Sequence, residues 1–429
     1  MQSDHTDTKL LQRIQTLVEA EYPHYFELFC DYNRHPELGL DCQRTAKKQA
    51  AELRRAGFEV AEGVGRTGVA AVLKNGPGPT ILYRADMDAL PIPDRRPAPW
   101  RCTDGQLGHQ CGHSMHSAML PFVGYCLHAL RDHWSGTALL VAQDGEEGWN
   151  GADVMIREGR LYERFGRPDA ALAWHVSPTL PAGTVGIAKG WAFALTQFVD
   201  IDVYGVGGHG GNPHTSVDPI VLAAHLITRF QTIVSREIAP TEVAVLSVGS
   251  IHGGSKHSII PEKVALKLTL RSQTEAVYRQ MMEAIERICR AEAAASGLPE
   301  EKFPKIIERP FITKPLFNDV ALANRVEAVF AEILEKEQVR TEPPYTFGED
   351  FSGYGLDGQI PILLSWLGSV QPDMFDAAGQ PVGFLPPLHH EEFNPYPDLT
   401  IRTGVTAMTA AMLNLLNGQA WQENQVQLD

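Results

Sequence analysis

Cysteine is scarce in this chain: six among 429 residues, at positions 30, 42, 102, 111, 126 and 289, without framework spacing. That excludes a disulfide-stapled scaffold and fits reduced thiols in a cytosolic enzyme. No Asn-x-Ser/Thr acceptor occurs. Positive charge is also short. Thirty-seven Lys and Arg stand against 52 Asp and Glu, a net charge of -15, which argues against nucleic acid or an anionic membrane as partner. No apolar run reads as a membrane span. Met1–His5 carries no basic stretch leading into an apolar one, so a cytoplasmic location is expected. There is no Gly-x-Ser-x-Gly elbow, no His-Glu-x-x-His helix and no phosphate-binding loop, which disfavours serine-hydrolase, zincin and nucleotide-hydrolysing chemistry. Internal repeats and low-complexity tracts are absent too. What remains is a composition of 44% hydrophobic and 21% charged residues, typical of a globular protein. The length calls for two or three domains.

Against that background one stretch stands out, Gly108-His109-Gln110-Cys111-Gly112-His113-Ser114-Met115-His116. It places a thiol and three imidazoles within eight residues, on a loop that feeds a helix. Residues two apart cannot share a helix face, so Cys111 and His113 are expected side by side on an extended turn. Met115, Ala118, Met119, Phe122, Val123, Cys126, Leu127 and Leu130 then follow the spacing of a buried helix stripe, with Ser114 as N-cap.

In chain order, Leu10, Leu11, Ile14, Leu17 and Val18 predict a first helix stopped by Pro23, and a second helix spans about 45–56. Three apolar runs follow, each delivering acids or a histidine at its C-terminal end. Thr80–Ala85 leads to Asp86 and Asp88; Thr137–Gln143 to Asp144, Glu146 and Glu147; Asp169–Trp174 to His175. An α/β sheet assembles a site along one edge in this way. From about Phe193 the rhythm changes to strand, glycine-rich turn, helix, strand, strand, helix, a compact β-α-β-β-α unit. Pro361–Leu367 is a last buried strand, Leu388-His389-His390-Glu391 follows a Pro/Gly-rich loop, and a final helix covers about 400–416. The economical architecture is an α/β protein with a split catalytic domain, residues 1–192 and 309–429. Its mixed sheet is flanked by helices, and an α+β, ferredoxin-like lid is inserted over 193–308.

Cys111, His113, Glu147, His175 and His389 form a donor set of one thiolate, one carboxylate and three imidazoles. Such a set suits zinc or a neighbouring divalent metal such as manganese, cobalt or nickel. Five ligands exceed the need of one catalytic zinc and are enough for two metal ions sharing a bridging group. Hydrolysis also needs a base, and Glu146 adjoins Glu147. On extended backbone the two side chains point opposite ways, so one would hold metal while the other faces water.

These residues resemble a family. Arg84-Ala-Asp-Met-Asp-Ala-Leu-Pro91, Cys111-Gly-His113, Glu146-Glu147, Trp174-His175, Gly207-Gly-His209, Gly348-Glu-Asp-Phe351 and Leu388-His389 occur in the order seen in the M20 metallopeptidases. His35-Pro-Glu-Leu-Gly39 also fits. The branch is similar to the amidohydrolases that cleave N-acyl amino acids, hippurate and auxin–amino-acid conjugates. The resemblance implies a dinuclear site with the five ligands above and Glu146 as base and then proton donor. It also implies that Asp88 orients the metal shell, and that His209 of the lid stabilises the oxyanion. A homodimer through the lid is implied as well, as is a small acyl-amino-acid-type substrate. His209 acts in cis or in trans.

Three positions depart from the pattern: Ser114 stands for Asp, Ser258 for a substrate-binding Asn, and Cys42 for Glu. Arg271 matches a lid arginine suited to the substrate carboxylate, and a surface ion pair is its alternative. His214 is a further candidate for substrate contact. His116 reads as structural, and His390 competes with His389 by adjacency. Trp149, Trp174 and Trp191 are candidates for an apolar acyl pocket, or for plain core. The expected activity is metal-dependent hydrolysis of the amide bond of N-acyl amino acids. An exopeptidase or dipeptidase of the same superfamily, or a non-catalytic metal- or ligand-binding protein, are the alternatives.

Overall fold

A computed structural model describes residues 8–310 and 312–417. The chain divides into two compact units, one of Met1–Gly190, Phe317–Pro343 and Asp350–Asp429, the other of Trp191–Leu316 and Pro344–Glu349.

The first unit is built on an eight-stranded mixed sheet. Its strands lie in the order Glu59–Glu62, Val69–Asn75, Gly136–Gln143, Thr80–Asp86, Ala170–Pro181, Ile362–Val370, Val185–Ile187, Val339–Thr341. The four in the middle, from Gly136–Gln143 to Ile362–Val370, run parallel. They are buried almost throughout, as a sheet covered on both faces requires. Their register aligns Asp86 with Gln143 and His175 with Trp366, while Arg84 pairs with Ala173. Two residues past that last pair, Asp86 and His175 therefore come level at one sheet edge. The strand that carries His175 does not end there, as the sequence suggested. It runs on to Pro181, because Ile362–Val370 pairs with it as far as Val370.

Among the described residues, two α-helices carry a proline in their interior, and each persists for a physical reason. The first, Thr8–Arg34, passes through Pro23 instead of stopping there. Its buried stripe of Ile14, Val18, Tyr22, Tyr25, Phe29 and Tyr32 runs on both sides of the proline. Tyr25 stacks on Phe122 with ring centroids 4.2 Å apart. Packing of this kind outweighs the roughly 3 kcal/mol that an interior proline costs. The second, His113–Ala129, contains Pro121, which has no N–H to give the Ser117 carbonyl. The buried Gln49 side chain donates to that carbonyl instead, at 2.6 Å. Gln49→Leu should therefore destabilise the protein by about 1–3 kcal/mol, the cost of a stranded buried acceptor. Equilibrium urea unfolding of the two proteins checks it, and equal midpoints would remove Gln49 from this role.

The C-terminal helix, Pro397–Leu416, corrects the expectation that no segment reaches the length and composition of a membrane span. By those two measures it does, yet 78% of its most apolar 18-residue window is buried inside the fold. It packs on the helices Thr8–Arg34 and His113–Ala129.

The second unit contains a four-stranded antiparallel sheet ordered Ala244–Gly253, Lys263–Ser272, Leu195–Tyr204, Lys305–Glu308. The helices Pro219–Thr232 and Glu275–Ala295 supply buried side chains to its core. Numbered within the unit, the strand order is 2-3-1-4, the ferredoxin-like arrangement. Its fourth strand, Lys305–Glu308, is an addition to the β-α-β-β-α pattern. At four residues with no apolar alternation it leaves no periodic signal.

Candidate metal centre

The site in the first unit starts from a backbone turn. Cys111 and His113 are separated by Gly112, whose φ of +84° lies in the left-handed region. A Cβ there would also come within 2.3 Å of Val176 Cγ2. Only glycine meets both conditions without strain. The turn sets Cys111 just outside the helix and His113 as its first residue. The helix thus begins two residues earlier than expected, with Gly112 in the N-cap position. Ser114 is inside the first turn, and its buried hydroxyl makes no hydrogen bond.

Ligand atoms of Cys111, His113 and His175 lie within 4.8 Å of one another, and so do those of Cys111, Glu147 and His389. Cys111 Sγ is 3.4 Å from His175 Nε2, and Glu147 Oε1 is 3.1 Å from His389 Nε2. The two buried imidazoles, His113 and His175, are held from behind. His113 Nδ1 lies 2.9 Å from the Asp88 carbonyl oxygen, and His175 Nδ1 lies 2.9 Å from that of Val176. A carbonyl only accepts, so both Nδ1 atoms carry the proton and both Nε2 atoms present a lone pair to the cluster. Metal-binding histidines are oriented in this manner. His113 Nε2 is buried and makes no hydrogen bond, so its lone pair faces the cluster unsatisfied.

The field at this point is negative. Burial opposes a charge on His113, but Asp86, Asp88 and Glu147 outweigh it and raise the pKa to about 10. Burial, with Glu147 and Glu146 nearby, pushes the Cys111 thiol well above its ordinary value. A cation would relieve both. The donor chemistry and the unsatisfied lone pairs fit divalent metal ions.

His116 belongs to the scaffold. Its Nδ1 donates to Asp86 Oδ1 at 2.5 Å and its Nε2 accepts from the Val176 amide at 3.0 Å, which occupies both ring nitrogens. His390 turns away: its Nδ1 accepts from the Glu392 amide, and its ring meets Phe384 edge-on. His389 adopts a φ of +64°, and its amide donates to the Gln110 carbonyl at 2.8 Å, which ties this loop to the Cys111 loop.

Glu146 and Glu147 do not point opposite ways. Their carboxylates and His113 all lie within 4.8 Å of one another. The backbone here is not extended, since left-handed Gly145, Gly148 and Asn150 make it a tight turn. Asp88 holds that turn, accepting from the amides of Glu146 at 3.2 Å and Glu147 at 3.0 Å. One buried aspartate thus touches His113 through its carbonyl and both glutamates through its carboxylate. Trp174 stacks on Phe330 and donates to the Gly404 carbonyl, so it fills core.

Sequence reasoning assigned no role to the layer beneath. Arg84, fully buried, donates to Asp86 Oδ2 at 2.6 Å, to Asp350 Oδ1 at 2.8 Å and to Gln143 Oε1 at 2.9 Å. Burial would raise the pKa of Asp86, but His113, Arg84 and His116 hold it well below the usual carboxylate range. Burial lifts Asp350 to about 6 against the opposing charge of Arg84. Arg84, Asp86 and Asp350 all sit inside motifs quoted above, which was the available signal.

The four remaining candidates are in the second unit. His209 pairs with Ile259 across a two-residue ladder, and its Nδ1 accepts from the Gly211 amide at 3.0 Å. Ser258 adjoins it, its carbonyl accepting from the Gly210 amide at 2.8 Å. His214 is exposed in a single 3-10 turn, Pro213–Thr215. Arg271 is elsewhere. It pairs with Thr196, at the opposite end of its strand from Lys263, the end that meets Tyr204 and the glycine turn. Its guanidinium donates to Thr196 Oγ1 and lies over the Phe198 ring. The structure brings His209 and Ser258 together and keeps Arg271 apart from them.

Known proteins resemble this chain over most of its length. The chain is 35% identical over 335 residues to N-acetyldiaminopimelate deacetylase of Anoxybacillus flavithermus, covering 77% of this chain and 81% of that one. It is 34% identical over 320 residues to hippurate hydrolase of Campylobacter jejuni, covering 74% and 82%. Its fold matches the crystal structure of Bacillus subtilis YXEP, a dinuclear metal binding peptidase from the M20 family. The TM-score is 0.74 at 24% identity, covering 93% of this chain and 99% of that one. The sequence profile of peptidase family M20/M25/M40 matches residues 82–414. The chain is a metal-dependent hydrolase and belongs to the M20/M25/M40 peptidase family.

Proposed function

We propose that this protein hydrolyses the amide bond of N-acyl amino acids, with Cys111, His113, Glu147, His175 and His389 holding two divalent metal ions. The observation that carries the reading is the pair of imidazoles pinned through Nδ1, with their Nε2 lone pairs turned to a thiol and a carboxylate. Ions held there would supply Lewis-acid polarisation of the amide carbonyl and acidify a water molecule. Glu146 takes a proton from water as the new C–O bond forms at the carbonyl carbon. It returns that proton to the amine nitrogen as the C–N bond breaks. Asp88 positions Glu146 through the backbone hydrogen bonds described above. Zinc is the first candidate metal for this donor set, with manganese, cobalt and nickel next.

His209 is assigned to the oxyanion, and His214, Ser258 and Arg271 to the substrate. A homodimer through the lid fits the exposed Ile220, Val221, Ile251 and Ile259, and the unpaired edge of Ala244–Gly253. The relatives named above, a deacetylase of N-acetyldiaminopimelate and a hydrolase of hippurate, support an acyl-amino-acid substrate.

The test is hydrolysis of a panel of N-acyl amino acids by protein loaded with zinc, manganese, cobalt or nickel. Release of free amino acid that stops on adding a chelator is the expected result. Turnover of dipeptides with none of acyl amino acids would shift the reading to a dipeptidase.

A further inference from the structure

Trp149 is two residues from Glu147, yet its side chain is 49% exposed. Single exposed aromatics are common on protein surfaces and alone mean nothing. This one sits on a turn fixed at both ends and packs on one side against Gly39. The turn that carries it is fixed at its start by Asp88, through the amides of Glu146 and Glu147. At its end the Ala152 amide donates to Asp350 at 3.0 Å, and the Gly151 amide closes the turn onto the Gly145 carbonyl at 2.9 Å. The indole backs onto Gly39, where a Cβ would come within 2.6 Å of Nε1 and 2.9 Å of Cδ1. Gly39 has its own anchorage. The Glu37 carbonyl accepts from the Ala89 amide at 2.7 Å, and the Glu37 carboxylate accepts from the amides of Arg44 and Thr45. One part of the indole therefore packs against the Gly39 backbone while about half of the residue faces solvent, on the same short turn that carries Glu146 and Glu147.

We infer that Trp149 is a specificity-determining residue, a preformed wall that takes a flat apolar group, an aromatic ring above all, next to the scissile amide. The inference rests on the hydrolase reading. Apolar area left exposed on a rigid support gains free energy when a substrate group covers it, and no ordering of the side chain opposes that gain. The ring can belong to the acyl half or to the amino-acid half, and the two are separable by experiment.

The experiment compares the wild type with Trp149→Ala and Trp149→Phe on two substrate series. One varies the acyl group, N-benzoyl against N-acetyl on glycine; the other varies the amino acid, N-acetyl-phenylalanine against N-acetyl-alanine. In one series the ratio of kcat/KM, ring over small, should fall about tenfold or more in Trp149→Ala and recover in part in Trp149→Phe. Equal losses on all four substrates in Trp149→Ala would mean that Trp149 only holds the turn, and would overturn the inference. A second arm needs no turnover. Binding of N-benzoylglycine and N-acetyl-phenylalanine to Glu146→Gln, by calorimetry, should weaken about tenfold for one of them when Trp149→Ala is added. Undiminished binding of both would overturn the inference. A wild type that turns over none of the four substrates would count against the hydrolase reading, while the binding arm still decides the role of Trp149.

Discussion

Replacing Glu146 by Gln should lower kcat by a factor of about 10²–10⁴ while leaving metal content at the wild-type level. The substitution keeps the shape of the side chain and removes its ability to take a proton. Glu146 is the one carboxylate of the turn not needed in the five-residue donor set, and it lies within 4.8 Å of His113 and Glu147. Its amide is fixed to Asp88 in either variant, so the turn should persist. The loss should fall on kcat more than on KM, because proton transfer belongs to the transition state. Kinetics on the best substrate of the panel, with metal analysis of the same sample, reads both quantities. Turnover within a few-fold of wild type would take Glu146 out of the mechanism. Loss of metal together with activity would make it a ligand instead.

The second large effect lies beneath the site. Arg84 is fully buried between two buried carboxylates, Asp86 and Asp350, with Gln143 bridging on one side. Arg84→Met should cost about 3–5 kcal/mol, because it leaves two carboxylates in the interior without their cation. A drop of roughly 3–6 °C in melting temperature is expected for a chain of this size. Adding Asp350→Asn to Arg84→Met should restore part of the loss, since one stranded charge is then gone. Melting curves of the single and double variants check both statements. A single variant that melts within about 1 °C of wild type would show that the network contributes little. The same substitution should weaken the metal centre, since Asp86 also receives His116 Nδ1, and His116 in turn holds the Val176 amide next to His175.

Much of the site was legible because its residues fall where strands end. Parallel strands deliver their C-terminal residues to one edge, so Asp88, Glu146 and His175 could be grouped from three apolar runs alone. The Cys111–His113 turn was legible too, since a glycine between two ligand types implies a tight bend. Features that depend on partners distant in sequence were not legible. Pro23 reads as a stop signal until Tyr25 is seen stacked on Phe122, nearly a hundred residues away. Gln49 is an ordinary polar residue in a helix until Pro121 strands a carbonyl beside it. The convergence of Glu146 and Glu147 needs the left-handed φ of Gly145 and Gly148, and local sequence permits that conformation without requiring it. Arg84 and Asp86 are neighbours in one strand, but the second acid that closes on the arginine, Asp350, lies 266 residues away and gives no local sign. The lid strand Lys305–Glu308 is too short to carry a period.

Whether Cys111, His113, Glu147, His175 and His389 hold two divalent metal ions is read by metal analysis of chelator-stripped protein after titration with zinc, alongside Cys111→Ala and His389→Ala. About two ions per chain are expected in the wild type, fewer in each variant, and activity that rises with the bound metal. Unchanged stoichiometry in both variants, or full activity in stripped protein, would contradict this assignment.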